Sequence, residues 1–310
     1  MRQFVSSKAP DSKGLLEITG KDFHYLRKVL RLSVGDMASV SIPGGALLQT
    51  TVCSVDDARK KITLQICQNC SGAFGGLSTE ESAKVSRPRS VLALLQFIPK
   101  PQKMELIVRQ ATECGVSFVI PVVGQYSQGG CQKALLSGGR FERIIREARQ
   151  QSGSQVETKI LEPQKLPCAL DLLESADFWQ GQDFLSAQET SDNFAFAKIV
   201  LYERTERTCP LSAALFGLEG GCRQEQDCAQ GQGQTGVLGQ DAAGSLALSK
   251  NAKKPAACVY AVGSEGGISP EEYELLLSRG FKAVHFNTNI LRCETAALYA
   301  AAAIQSALDN

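Results

Sequence analysis

Apolar residues recur along this chain with two different periods. Up to about residue 70 they alternate with polar ones: weakly in Leu15-Leu16-Glu17-Ile18, better from Met37 to Ile42, then through Leu47 to Val55 and Lys61 to Cys67. Alternation marks half-buried strands, and Pro43-Gly44-Gly45 reads as a turn. A short helix is expected from Lys21 to Leu30. Several short strands in so few residues predict a small barrel. From Val91 the period changes. Val91 to Phe97 and Val116 to Val123 are nearly continuous apolar runs, as buried parallel strands are. Lys103 to Cys114 carries Met104, Ile107, Val108, Ala111 and Cys114 at helical spacing, with Gly115 to close the helix. Arg140 to Gln151 is a second helix, with Phe141, Ile144, Ile145 and Ala148 inward and Arg143, Arg146 and Arg149 largely outward. Ile199 to Tyr202 is a further strand. Strands alternating with helices predict an α/β domain with a mostly parallel sheet.

The last fifty residues repeat the pattern. Ala257 to Val262 is a strand, and Gly263-Ser264-Glu265-Gly266-Gly267 is a turn that exposes backbone N–H groups. Ser269-Pro270-Glu271-Glu272 opens a helix as a capping box with proline at its first position. Gly280 ends it, Ala283 to Phe286 is the next strand, and an Ala-rich helix runs to about Leu308. Two stretches break the periodicity. Residues 70–90 are rich in Gly, Ser and charge, as linkers are. Residues 205–256 are long, polar and repetitive in Gln and Gly, which reads as a mobile insertion.

Composition narrows the function classes little. The chain has 310 residues, 43% hydrophobic, with a formal net charge of +1, enough for two packed domains and neutral on the question of nucleic acid. Met1-Arg2-Gln3-Phe4 leads into polar residues, and no apolar stretch approaches the roughly 18 residues of a membrane span; a cytoplasmic protein is expected. The 11 cysteines are scattered through apolar runs, as buried thiols in a reducing compartment are. Cys67-Gln68-Asn69-Cys70 has no second pair, and His24 and His285 lie far apart, so no metal is expected.

Five segments carry candidate chemistry, each with a plainer structural reading beside it. His24, Arg27, Lys28 and Arg31 either contact RNA or line the polar face of a half-buried helix. Lys100 and Lys103, after a strand end, sit either at a site or in a solvated loop. The basic helix with Arg140 and Arg149 either meets phosphates or is merely solvated. The glycine turn at 263–267 is neither a P-loop nor a dinucleotide fingerprint, and by itself it is an ordinary strand-to-helix turn. Ile290-Leu291-Arg292-Cys293-Glu294-Thr295-Ala296 places an Arg–Glu pair at the mouth of an apolar helix, where it either acts or caps.

Taken in order, these segments resemble the bacterial 16S rRNA (uracil-N3) methyltransferases, the RsmE type of the SPOUT superfamily. The carriers are His24 through Gly35-Asp36, Lys100, Glu113-Cys114-Gly115-Val116 with Pro121, Glu147-Ala148 with Gln151-Ser152, Gly263 to Gly267, and Ile290 to Ala296. The resemblance implies a PUA-like RNA-binding β-barrel over 1–72, a linker at 73–90 and a SPOUT α/β domain over 91–310 with a deep trefoil knot, acting as a homodimer on 16S rRNA or the small ribosomal subunit. It implies S-adenosylmethionine held by Leu201, Tyr202 and Glu203, by Gly263, Ser264, Glu265, Gly266 and Gly267, and by Phe286, Asn287, Asn289, Ile290, Leu291 and Arg292. Ser264 stands where the family usually has proline, Asn287 where it has glycine, Asn289 where it has arginine, Cys293 where it has threonine, and Ser154 where it has arginine. Asn287 is expected to narrow the cofactor pocket or strain its backbone. Arg292 is the candidate for stabilising charge on the uracil oxygens, and Glu294 for orienting Arg292 or accepting the N3 proton. Two alternatives stand beside this reading: the same superfamily with another target such as a ribose 2′-oxygen, and a catalytically impaired RNA-binding relative.

Overall fold

The computed structural model describes residues 3–43, 47–67, 90–127, 139–179, 196–203, 207–216 and 254–309. The linker at 73–90 except Ser90, Cys70, most of the Pro43-Gly44-Gly45 turn and most of 205–256 lie outside the described residues. The fold is mixed α/β and divides into two units.

The first unit contains residues 1–88, 105–117 and 137–160. Its sheet comprises β1 (Phe4–Val5), β2 (Leu15–Thr19), β3 (Met37–Ser41), β4 (Leu47–Asp56) and β5 (Lys61–Ile66) in the order β1-β3-β4-β5-β2. β1 and β3 are parallel and the other pairs antiparallel. The alternation seen in the sequence puts Leu16, Ile18, Val40, Val52, Ile62 and Leu64 into one core with Phe4, Phe23 and Leu26. The expected helix at 21–30 is α-helical only over Gly20–His24 (α1). Tyr25–Val29 winds as a π-helix, with Leu30 N–H donating to the Tyr25 carbonyl. Such wide turns are rare, and no periodicity signals them.

The helix Arg140–Ser152 (α2) lies in this unit and corrects one expectation. Arg149 is not outward but 5% exposed. At 3.6 residues per turn it sits one turn beyond Ile145, on the margin of the apolar stripe. Its guanidinium Nη2 donates to Ser41 Oγ at 3.2 Å, and Gln3 donates to its backbone carbonyl. Desolvation lowers its pKa, against the opposing charge of Glu157. Arg149 is therefore a packing residue with no surface to offer a phosphate. Ser154 contributes its backbone carbonyl to the same Gln3 amide at 2.8 Å.

The second unit contains residues 89–104, 118–136 and 161–310. β6 (Val91–Phe97), β7 (Phe118–Val123), β10 (Phe196–Leu201), β11 (Ala257–Val262) and β12 (Lys282–Val284) pair in parallel in the order β12-β10-β11-β6-β7, and the short β9 (Gln164–Lys165) joins β7. The two-residue strand β8 (Lys159–Ile160) falls within the first unit. β6 and β11 are buried along their whole lengths, which explains their unbroken apolar sequences. Helix Leu166–Glu174 and Trp179 pack into the same core.

Within the expected insertion, residues 207–216 are folded. Cys209 bridges to Val284, and Leu211–Phe216 forms a helix whose Ala213, Ala214 and Leu215 are buried.

Candidate functional site

Three neighbouring parallel strands, β10, β11 and β12, end at Leu201, Val262 and Val284, and parallel sheets carry their sites beyond such ends. Here the following loops enclose a cavity of about 250 Å³. β12 stops two residues before the expected Phe286, which frees His285 and Phe286 to form wall instead of ladder.

The turn after β11 is held from several sides. Ser264 N–H donates to the Gly267 carbonyl at 3.3 Å, and Gly267 N–H returns to Ser264 at 3.0 Å. The Ser264 hydroxyl accepts from Gly266 N–H at 3.4 Å. Proline could supply neither the first bond nor the hydroxyl, so the serine adds fastening to this turn. A Cβ on Gly263 would lie 2.7 Å from the Gly267 carbonyl carbon, so the turn closes only with glycine there. Behind it, buried Gln96 donates to the carbonyls of Val262 and Gly263. Ser269 and Glu272 form the capping box expected of the next helix, Pro270–Ser278. Glu272 Oε1 also accepts from Gln125 N–H at 2.7 Å, anchoring the turn that presents Tyr126 to Gly266.

On the β10 side, the Tyr202 ring stacks on buried Tyr273, and His285 Nδ1 lies 3.2 Å from the Tyr202 carbonyl. On the third side, Asn289, Ile290 and Leu291 line the cavity, followed by Cys293 and Ala296 of helix Cys293–Asp309. Asn287 is exposed and outside the lining. Among the described residues the non-glycine positions with positive φ are Arg31, Lys60 and Arg207, so Asn287 is neither strained nor a narrowing of the cavity.

The site is electrostatically asymmetric. Among the described residues no lysine or arginine lines the cavity, whereas Glu203 does. Beside it, Lys103 Nζ lies 3.5 Å from Glu265 and 3.3 Å from Glu294, and the Cys293 thiol donates to Glu294 at 3.2 Å. Desolvation works against the Lys103 ammonium, but Cys293, Glu294 and Glu265 outweigh it and raise its pKa. Desolvation likewise opposes the Glu294 carboxylate, yet its backbone bond, Cys293 and Lys103 hold it below the usual range. Burial, then Glu294, push the Cys293 thiol up to about 12.

The sequence-predicted cofactor positions Leu201, Tyr202, Glu203, Gly263, Ser264, Gly266, Phe286, Asn289, Ile290 and Leu291 are thus brought together on one cavity. Glu265, Gly267, Asn287 and Arg292 adjoin it in sequence without lining it. Arg292 is exposed, between two residues that do line it, and Glu294 faces Lys103. Of the basic positions in the second unit, Lys100 gives its backbone N–H to Glu265, and Lys103 is engaged as described. In the first unit, Arg27 pairs with Asp57 and Arg140 with Glu105, while Lys28 and Arg31 are exposed and His24 half-buried against Phe23. Sequence reasoning missed Gln96, Tyr126, His285 and the tether from Glu272. For Gln96 a signal existed: it is the one polar residue in an otherwise apolar strand.

Comparison with known proteins follows the same outline. The family model described as an RNA methyltransferase domain matches residues 85–238 and 226–305. A Synechocystis sp. protein named ribosomal RNA small subunit methyltransferase E is 24% identical over 293 residues, spanning 94% of this chain and 73% of that protein. The protein of the same name from Bacillus subtilis is 23% identical over 290 residues, spanning 93% and 88%. The crystal structure of a ribosomal RNA small subunit methyltransferase E from Neisseria gonorrhoeae, bound to S-adenosyl methionine, superposes with a TM-score of 0.63 at 18% identity, covering 99% of this chain and 97% of that one.

Proposed function

The chain belongs to the RNA methyltransferase domain family, and from that premise we propose that it methylates N3 of a uridine in the 16S rRNA of the small ribosomal subunit, using S-adenosylmethionine. The observation that carries the donor's identity is the cavity. Its walls are backbone-rich at Gly263 and Gly266, apolar at Leu201, Val262, Ile268 and Leu291, and among the described residues carry the carboxylate of Glu203 but no lysine or arginine. That lining disfavours a phosphate-bearing cofactor and suits a cation. The volume of about 250 Å³ sits near the small end of the roughly 300–1,000 Å³ usual for ligand sites, which favours a folded rather than extended ligand. S-adenosylmethionine, when bound, supplies an electrophilic methyl on a positively charged sulfur that leaves as a neutral thioether.

The chain's own residues divide the remaining work. The glycine turn and the 285–291 loop orient the donor, and holding nucleophile and methyl in line supplies much of the rate. N3 must lose its proton before or during attack, which puts negative charge on the uracil oxygens. Exposed Arg292 stabilises that charge, which is neutralised as the N–C bond to the methyl forms and the thioether leaves. Glu294, held below the usual carboxylate range by Lys103 and Cys293, is a weak proton acceptor. Of the roles considered for it, orientation is favoured, and the proton passes to solvent. A PUA-like barrel in residues 1–72, presenting Lys28 and Arg31, would hold the RNA. The division at 73–90, a trefoil knot within 91–310 and a homodimer belong to the same reading. Ile290, which lines the cavity yet is 81% exposed, and Tyr299, 43% exposed, give a second copy apolar surface to cover. No described helix is long and apolar enough to cross a membrane.

Nucleotide mapping of 16S rRNA from a deletion strain tests the reading. A single N3-methyluridine should disappear and return with the wild-type gene; loss of a ribose 2′-O-methyl group instead would move the target. Calorimetry with S-adenosylmethionine tests the donor, and no binding at millimolar ligand would leave only an RNA-binding role.

A further inference from the structure

Lys103 invites assignment as a phosphate contact, being a lysine just past a strand end on the side where sites form. Its surroundings speak against that role. The ammonium lies between the carboxylates of Glu265 and Glu294, at 3.5 and 3.3 Å, with side-chain exposures of 27% and 14%. The three groups together carry one net negative charge, which repels an approaching phosphate. The two carboxylates belong to different walls of the cavity. Glu265 is the middle residue of the glycine turn and is also fixed by Lys100 N–H at 3.2 Å. Glu294 lies in the first turn of helix Cys293–Asp309, beside Cys293, which lines the cavity.

We propose that Lys103 is a positioning residue, a clasp that holds the 263–267 turn to the start of the last helix and so sets the width of the donor cavity. Without it, two half-buried carboxylates face each other uncompensated, and breaking a pair this way costs more than the pair itself contributes. The clasp rests on the proposed donor for its functional meaning but not for its existence. It also explains why Glu294 is poorly suited to take a proton, since its Oε2 is already shared by an ammonium and a thiol.

The test uses Lys103→Met and Lys103→Arg with Glu265→Gln and the Lys103→Met/Glu265→Gln pair. S-adenosylmethionine and 16S rRNA are titrated separately. Lys103→Met should weaken donor binding by on the order of tenfold, the scale of coupling between contacting charges, with rRNA affinity unchanged. Lys103→Arg should restore most of the loss. The pair should bind better than Lys103→Met alone, because the repulsion is gone. A Lys103→Met protein that loses rRNA affinity, flattens its salt dependence and keeps its donor affinity within about twofold would overturn the proposal in favour of a phosphate contact. Should the wild type bind no S-adenosylmethionine, the donor assignment fails but the clasp is still read by hydrogen exchange. Amides of 263–267 and 293–297 should exchange faster in Lys103→Met, and unchanged rates there would refute it. If Lys103→Met does not fold, Lys103→Arg and Glu265→Gln carry the same readouts, and a Glu265→Gln protein with wild-type donor affinity and exchange rates would likewise refute it.

Discussion

The Tyr202 ring lies flat on that of Tyr273, centroids 3.9 Å apart and 12° from parallel. Tyr202 faces the cavity, whereas Tyr273 is 5% exposed and its hydroxyl finds no hydrogen-bond partner among the described residues. The phenol oxygen is therefore a cost, while the ring supports the wall. Tyr273→Phe should leave ligand affinity unchanged and stability equal or slightly higher, because an unpaired buried hydroxyl is removed. Tyr273→Ala should cost about 3–5 kcal/mol and weaken ligand binding through the unsupported Tyr202. Urea denaturation and calorimetry separate the two effects.

The glycine turn should tolerate substitution unevenly. At Gly263 an added Cβ meets backbone at 2.7 Å, whereas at Gly266 it meets the Cβ of Tyr126 at 2.9 Å. That Cβ moves only with the backbone of the separate 124–127 turn, whereas the Gly263 clash lies within the glycine turn itself. Gly263→Ala should abolish donor binding, and Gly266→Ala should weaken it only several-fold, a difference resolved by titration on folded variants.

Glu272 serves two neighbours, the Ser269 cap and Gln125 N–H. Ser269→Ala should cost about 1 kcal/mol, as lost caps do. Glu272→Ala should cost more and also loosen the Tyr126 turn, which faster hydrogen exchange at 124–127 would report.

Cys293 and Glu294 give the site a two-sided pH dependence. Burial holds the Cys293 thiol protonated up to about 12, so between the ordinary thiol range and that value the folded chain binds a proton the unfolded chain has released. Stability should fall as pH rises through that window. Glu294 is held below the usual carboxylate range, so its contribution is present above that range and is lost as pH falls past it. The chemical counterpart is slow alkylation of Cys293 at pH 8, read by peptide mapping against exposed Cys53. Glu294→Gln should accelerate it.

Arg292→Ala should lower methyl transfer by roughly 10²-fold, the scale of a lost charge stabiliser, with S-adenosylmethionine affinity little changed. Activity within about threefold of wild type would exclude Arg292 from that role.

Elements with a single strong signal were legible in the sequence. The apolar runs of β6 and β11, the Ser269 capping box and the helix closures at Gly115 and Gly280 are local in origin, and the structure has each of them. What stayed hidden depends on neighbours distant in the chain. Arg149 looked solvated because its burial against Ser41 and Gln3 cannot be read from its own helix. Asn287 looked damaging because a lost glycine suggests strain, yet the backbone there takes no positive φ. Lys103 read as either a site residue or a solvated one, and the carboxylates it meets come from positions 265 and 294, far along the chain.

The cavity borders on strand ends at 201, 262 and 284. A ribosome making this chain therefore delivers the wall in three instalments. The Tyr202 side exists first, the glycine turn some sixty residues later, and the closing loop and helix last. Until the final segment emerges, the nascent protein has its N-terminal sheet and no pocket. Ligand capture is thus coupled to synthesis of the 285–291 loop and the helix that follows it.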